Sequence, residues 1–150
     1  GLSARTAEPC TGIEATRSML DHMIGMEIEA GISERRIVLG GFSQGGASAI
    51  YTGIRQQHGL AGIIGLSSYV PLPHLVKDLT PSPAAKKTPI LLCRGSDDAI
   101  VKPADTADAA ALLNEAGYPV DMRTIKHLGH SIDQEVIEHM SKFLQKVLPR

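Results

Sequence analysis

The chain has 150 residues, which fits one domain, and its 43% hydrophobic and 21% charged residues are typical of a soluble globular protein. A formal net charge of −1 argues against binding to nucleic acid or to an anionic membrane surface. No apolar run approaches the ~18 residues that a membrane-spanning helix needs, so no transmembrane segment is predicted. Cys10 and Cys93 form no close motif, and Cys93 lies in an apolar run, which predicts a buried free thiol in a reducing compartment.

Apolar periodicity predicts strands that alternate with helices along the chain. The predicted elements are a loop at 1–10, a helix from Thr11 to Gly31, a strand at 36–42, a helix from Gln44 to His58, a strand from Leu60 to Leu66, a helical turn near His74 to Leu79, a strand from Ile90 to Cys93, a helix from Pro103 to Gly117, a strand from Val120 to Ile125 and a last helix carrying Val136 to Val147. A Ser131-x-x-Gln134 capping box is expected to begin the last helix. The alternation predicts an α/β fold with a mainly parallel sheet and helices on both faces.

The segment from Gly40 to Ala47 reads Gly-Gly-Phe-Ser-Gln-Gly-Gly-Ala and lies between a predicted buried strand and a predicted helix. This is the context of a nucleophile elbow, a sharp turn that exposes a serine hydroxyl at the carboxyl edge of a sheet. We expect glycine to be required at positions 41 and 45, because side chains there would clash with the turn. The backbone N–H of Gln44 would then point toward a developing oxyanion. The alternative interpretation is a serine that only caps the helix.

A serine nucleophile needs a base and an orienting acid, and candidates for both follow later strands. Asp97 and Asp98 follow the third predicted strand, and His127 and His130 follow the fourth. Serine, aspartate, histidine is the chain order of an α/β-hydrolase triad. Adjacent aspartates point in different directions, so one is expected to face a histidine and the other to cap the local turn. A metal site of the two histidines with Asp133 lacks a recognisable motif, and no metal is predicted.

These motifs resemble those of the acyl-protein thioesterase and lysophospholipase/carboxylesterase family of α/β hydrolases. The resemblance spans nearly the whole chain and rests on the 40–47 segment, Gly31-Ile32, Leu60-Ala61-Gly62, Gly95-Ser96-Asp97-Asp98 and Gly129-His130-Ser131. It implies that Ser43 is the nucleophile, Asp98 the acid, His130 the base and the Gln44 amide one oxyanion donor. It also implies a cytoplasmic enzyme without a cofactor, which removes palmitoyl-type chains from protein cysteines or cleaves lysophospholipids and small carboxylic esters. We further expect transient membrane contact and weak homodimerisation.

The resemblance has departures that bear on substrate choice. Family members commonly carry histidine, tryptophan and proline where this chain has Arg94, Tyr69 and Ala99, and we expect these changes to alter the pocket. The wall of an acyl channel is expected between Ser67 and Leu79. Its candidate residues are Tyr69, Val70, Leu72 and Leu75. An ordinary loop packed on the sheet is the alternative.

The family's amino-terminal strands, with a His-Gly-x-Gly segment that supplies a second oxyanion amide, are expected before residue 1. Without them the strand at 36–42 would be an exposed apolar edge, which native proteins avoid. Residues 1–150 are therefore expected to form the carboxyl-terminal part of a single α/β-hydrolase domain. The alternatives are a non-catalytic fragment of that fold and a serine peptidase of the prolyl-oligopeptidase type.

Overall fold

One parallel sheet organises the computed structural model, which describes residues 10–150; the loop predicted for residues 1–9 lies outside the described part. The four strands of this part run in the order β1-β2-β3-β4 and every neighbouring pair is parallel. The strands are β1 (Val38–Phe42), β2 (Gly62–Leu66), β3 (Ile90–Gly95) and β4 (Val120–Ile125), and the α-helices are α1 (Cys10–Glu29), α2 (Gln44–Gly53), α3 (Pro73–Lys77), α4 (Pro103–Glu115) and α5 (Gln134–Val147). Short 3₁₀ helices lie at Glu34–Arg36 and Ala85–Lys87. The predicted α/β architecture is confirmed.

Hydrophobic clusters cover both faces of the sheet, because successive side chains of a strand point to opposite faces. Ile63 of β2 belongs to a cluster with Ile50 of α2 and Leu113 of α4. Its neighbour Ile64 belongs to a second cluster with Phe143 of α5. α1 forms an outer layer that contacts α2. The continuous apolar runs of β2 and β3 are therefore central strands that are buried on two sides, as their patterns predict.

Two predicted helix boundaries differ from the structure for local reasons. α2 ends at Gly53 rather than His58, because the backbone N–H groups of Arg55 and Gln56 bond to carbonyls three residues back and tighten the turn. The capping box predicted at Ser131 is wrong. Asp133 is the residue that caps α5, since its carboxylate accepts the backbone N–H of Val136 at 3.0 Å.

Candidate active site

Ser43 lies in the turn between β1 and α2, at the carboxyl edge of the sheet. Its φ of 55° is in the left-handed region, which strains any residue that carries a Cβ. The surrounding backbone holds this conformation. The Ser43 N–H donates to the Leu66 carbonyl at 2.8 Å, and the Ser43 carbonyl accepts from the Ala47 N–H at 3.1 Å. The Ser43 side chain makes no capping hydrogen bond to α2, so the alternative that its hydroxyl only caps the helix is wrong.

The glycines around the turn differ in what they allow. A Cβ on Gly41 would lie 2.3 Å from the carbonyl carbon of Gly45, so the requirement at position 41 is confirmed. A Cβ on Gly45 would meet nothing within 4 Å, and the predicted requirement there is wrong. The tight position is Gly46, where a Cβ would lie 2.7 Å from the Gly41 oxygen and 2.8 Å from the Ser68 side chain. The first turn of α2 directs position 46, not 45, against the chain that follows β2.

Asp98 is buried at the end of β3 and uses both carboxylate oxygens. Oδ1 accepts the backbone N–H groups of Ile100 and Val101, each at 2.9 Å. Oδ2 lies 2.8 Å from Nδ1 of His130. Burial raises the pKa of the Asp98 carboxyl, but the hydrogen bonds from His130, Val101 and Ile100 outweigh burial and bring the pKa below its ordinary value. Asp98 is therefore an ionised acceptor with a fixed orientation.

His130 lies in the loop after β4 and is held on two sides. Its side chain is 19% exposed, and Nδ1 faces Asp98. The ring of Phe42, the residue before Ser43, lies with its centroid 4.6 Å from that of the imidazole, at an interplanar angle of 44°. Because Nδ1 donates to the ionised Asp98, Nε2 of neutral His130 is left as an acceptor. Among the described residues, no hydrogen bond joins the Ser43 hydroxyl to His130. The link between the two is the ring contact of His130 with Phe42, which precedes Ser43 in the chain.

The competing neighbours lie apart from this pair. His127 and Asp97 have side chains that are 91% and 59% exposed, and their closest charged atoms are 3.9 Å apart. Asp97 was expected to cap the local turn if Asp98 faced the histidine, and this expectation is wrong, because Asp98 accepts the turn's N–H groups itself. The structure thus brings together His130 and Asp98 rather than either alternative.

The loops that carry the acid and the base pack tightly against each other, a feature that sequence reasoning missed. A Cβ on Gly95 would lie 2.2 Å from the carbonyl oxygen of Leu128, so only glycine fits there. Arg94, which stands where the family commonly has histidine, donates to Thr124 at 2.9 Å and to the Pro103 carbonyl at 2.6 Å. Arg94 therefore ties β3 to β4 and to the start of α4.

Two buried hydroxyls lie behind the serine turn, and these were also missed. The Ser68 hydroxyl donates to the Ser43 carbonyl at 2.9 Å. The Thr106 hydroxyl of α4 donates to the Ser68 carbonyl at 2.7 Å. Ser68 and Thr106 are both fully buried. The pair links α4 to the strained Ser43 through hydrogen bonds that no local sequence motif predicts.

A cavity of about 380 Å³ lies beside the start of α2. Its lining includes Gln44, Ala47, Tyr69 and Pro71. Of the four residues expected to form an acyl channel, only Tyr69 lines this cavity. The other three do not: Val70 packs in the core cluster beneath α2 and α4, Leu72 is fully buried, and Leu75 is half-buried on α3.

Residues 10–150 contain neither a metal cluster nor a membrane-spanning helix, and their free thiol is buried. Between residues 10 and 150, no group of three or more histidine, cysteine, aspartate or glutamate side chains is placed to hold a metal ion. Cys93 is a buried free thiol, as predicted, and burial raises its pKa to about 12. None of the helices described in this range is long and apolar enough to cross a membrane.

The site has a positive-φ serine between a parallel strand and a helix, and an aspartate paired with a histidine in the loops after later strands. These features define the class of α/β hydrolases. Comparison with known proteins agrees with this class. The sequence model of the Phospholipase/Carboxylesterase family matches residues 1–148, and the chain belongs to that family.

Relatives and solved structures give the same picture. The chain is 38% identical over 143 residues to acyl-protein thioesterase 1 of Gibberella zeae, covering 95% of this chain and 61% of the relative. It is 41% identical over 141 residues to acyl-protein thioesterase 1 of Aspergillus fumigatus, covering 92% and 58%. The crystal structure of Arabidopsis thaliana SOBER1 superposes with a TM-score of 0.85 at 27% identity, covering 92% of this chain and 65% of that one. Esterase PE8 superposes with a TM-score of 0.84 at 28% identity, covering 98% and 65%. The chain thus spans about three fifths of the length of the curated relatives it matches.

Proposed function

We propose that this chain carries the nucleophile, acid and base of a serine hydrolase that cleaves acyl esters and thioesters. The observation that carries the proposal is the 2.8 Å contact of Asp98 with His130, whose ring lies against Phe42 next to the strained Ser43. The surroundings of each group support its proposed role. Ser43 is the nucleophile, His130 is the general base, and Asp98 orients the imidazole and stabilises its charged form.

The reaction would proceed in two displacements. Ser43 Oγ attacks the acyl carbon while Nε2 of His130 takes the hydroxyl proton, and a C–O bond forms. His130 then gives that proton to the leaving sulfur or oxygen as its bond to carbon breaks, which leaves an acyl-serine. Water attacks the acyl-serine with the same base, releases the carboxylic acid and restores Ser43. Asp98 stays ionised throughout, in keeping with its lowered pKa.

Negative charge on the carbonyl oxygen needs hydrogen-bond donors. Gln44 is the first residue of α2, and the first N–H groups of a helix have no partner within the helix. We assign its backbone N–H as one oxyanion donor. Hydrolases of this fold use a second N–H donor as well, and we assign none of the residues between 10 and 150 to that role.

The substrate is proposed to be an acyl group on a protein cysteine or a lipid ester. The names of the relatives support an acylated protein as the substrate. The cavity of about 380 Å³ beside Gln44 offers room for an acyl chain, and its lining is mixed, with Ile13, Ala47, Tyr69 and Pro71 beside the polar Thr11, Thr16 and Ser48. Contact with a membrane would then be transient, and the enzyme cytoplasmic. A non-catalytic fragment is less favoured, because it would have no use for the strained serine beside a paired histidine and aspartate.

A substrate series tests this proposal on residues 1–150 and on any longer protein that contains them. With thioesters from acetyl to octanoyl, kcat/KM should rise about fourfold for each methylene that the cavity buries, which is ~0.8 kcal/mol each. Ser43→Ala should abolish this activity, whereas the matched change Ser131→Ala on the exposed loop should not. Equal activity in the Ser43→Ala variant would overturn the proposal. A flat acyl series would reassign the enzyme to small esters, and cleavage of peptides but not thioesters would favour a peptidase.

A further inference from the structure

β4 forms one edge of the sheet in the described residues, and it is a regular strand. Its six residues pair with β3 in continuous register, from Val120 opposite Ile90 to Ile125 opposite Gly95. The strand contains no proline or bulge, two of the features that protect an edge from pairing, and its two charged residues, Asp121 and Arg123, have opposite signs. No other strand within residues 10–150 covers this edge.

The hydrogen bonds to β3 show which backbone groups face outward. The carbonyls of Pro119 and Ile125 accept N–H groups of the β3 side at 2.9 Å each. Because the backbone groups of a strand alternate in direction, the odd-numbered residues bond to β3. The N–H and C=O groups of Val120, Met122 and Thr124 therefore point away from the sheet. They form a set of unpaired donors and acceptors along the edge.

The exposed charges of β4 are arranged in a self-complementary order. Asp121 and Arg123 lie on one face of the strand with Met122 between them in sequence. They pair with each other at 2.9 Å, and their side chains are 52% and 50% exposed. An antiparallel second copy of this strand would present the same two charges in reverse order.

We propose that β4 pairs with β4 of a second copy of this chain, antiparallel about a two-fold axis at Met122. Asp121 of each copy then lies opposite Arg123 of the other. These two positions are non-hydrogen-bonded pairs, in which facing side chains approach most closely, while the outward groups of Met122 make the central hydrogen bonds. Moving the axis to position 121 or 123 would put like charges opposite each other, so the charges disfavour the two neighbouring registers, and an axis at position 120 or 124 would lose both opposite-charge pairs.

The opposite face of β4 supports the same pairing. Val120 and Met122 are half-buried and pack against the core cluster of α2 and α4, so the core reaches the edge of the sheet. In the proposed register, Met122 meets its own copy and Val120 meets Thr124. Because six residues form a small interface, the association is expected to be weak and concentration-dependent.

The other edge of the sheet does not carry this specificity. β1 has the sequence Val-Leu-Gly-Gly-Phe, with no charged residue and two central glycines. A glycine-rich, uncharged strand specifies its register weakly. Association through β1 would therefore not respond to charge changes at positions 121 and 123, and the two edges can be distinguished by experiment.

Sedimentation velocity over a range of concentrations tests the proposal on residues 1–150, independently of any activity. The wild-type chain should form dimers. Asp121→Arg and Arg123→Asp should each weaken the dimer about tenfold or more, because both cross-strand pairs become like-charged. An equimolar mixture of the two variants should recover the dimer as a heterodimer, since their charges are again opposite. The double variant Asp121→Arg/Arg123→Asp should recover it as well.

Glu138→Arg, on the exposed face of α5, makes the same charge change as Asp121→Arg and should leave association unchanged. Four results would overturn the proposal: a wild-type chain that stays monomeric at the highest concentration reached, single variants that dimerise as the wild type does, a mixture that stays monomeric, or larger assemblies that no β4 variant affects. Far-ultraviolet circular dichroism of each variant establishes that the chains compared are equally folded.

Discussion

Replacing Asp98 by asparagine removes a charge without changing the shape of the side chain. The consequences depend on which of the two carboxylate oxygens the amide NH₂ group replaces. In one orientation, the amide oxygen still accepts hydrogen bonds from the N–H groups of Ile100 and Val101, and the new NH₂ group faces Nδ1 of His130. Nδ1 must then accept, so Nε2 carries the proton and cannot take one from Ser43. In the other orientation, the backbone N–H groups of Ile100 and Val101 lose their acceptor, which costs about 1–3 kcal/mol for the buried donor of Val101 and less for the partly buried one of Ile100. The first orientation is favoured, and it is the inactive one.

The expected loss in kcat is therefore about 10⁴-fold, the scale for an acid that fixes a catalytic tautomer, or ~5.5 kcal/mol in the activation barrier. Asp97→Asn is the matched control. Because its side chain is 59% exposed and 3.9 Å from His127, this change should alter kcat less than about twofold. Steady-state hydrolysis of a p-nitrophenyl ester by both variants gives the comparison. A larger loss for Asp97→Asn than for Asp98→Asn would refute the assignment of the acid.

The same variant predicts a pH dependence of stability. The pKa of Asp98 lies below its ordinary value in the folded state, so ionised Asp98 stabilises the fold above its unfolded pKa of about 3.9. That contribution is lost as the pH falls from there through the lower folded pKa. In urea unfolding, the free-energy advantage of wild type over Asp98→Asn should therefore shrink below about pH 4. An advantage of the wild type that grows as the pH falls through this range would contradict a lowered pKa of Asp98 in the folded state.

Three further changes test the structure around the serine. Ser68→Ala should lower kcat about tenfold with little change in KM, because the Ser43 carbonyl loses a positioning donor while keeping the Ala47 N–H; Ser131→Ala is the control, and an unchanged kcat would contradict the role. Gly46→Ala should destabilise the chain by about 1–3 kcal/mol in thermal unfolding, whereas Gly45→Ala should be neutral or stabilising by up to ~1 kcal/mol, and the reverse order would refute the packing of the turn. Cys93 should resist iodoacetamide at pH 8 until the chain is unfolded, because its pKa is about 12 and its side chain is buried; rapid labelling of the folded chain would contradict this.

The strands could be predicted from the sequence because their apolar runs are long and are bounded by turns. The direction of a side chain within an irregular loop could not. Asp97 and Asp98 are equivalent by residue type, and only the fold of the loop turns one carboxylate toward His130. Val70 and Leu72 had the composition of a channel wall, but they fill the core instead.

The glycines around the serine also show that the sequence does not reveal contacts between distant segments. Spacing around the serine singles out Gly41 and Gly45, yet the contact that excludes a side chain at Gly46 comes partly from Ser68, more than twenty positions along the chain. Ser68 and Thr106 act through hydrogen bonds between distant segments, and no local pattern contains such information. What the sequence conveys well is periodicity and chain order; what it omits is which distant backbone comes close.

Covalent labelling with a fluorophosphonate, followed by peptide mapping, tests the central claim most directly, because the reagent reacts with a serine only where a base activates it. The account predicts one modified residue, Ser43, with labelling slowed by orders of magnitude in Asp98→Asn and in His130→Ala and unaffected by His127→Ala. A label on Ser67, Ser96 or Ser131, or labelling of Ser43 at the wild-type rate in the absence of His130, would contradict it.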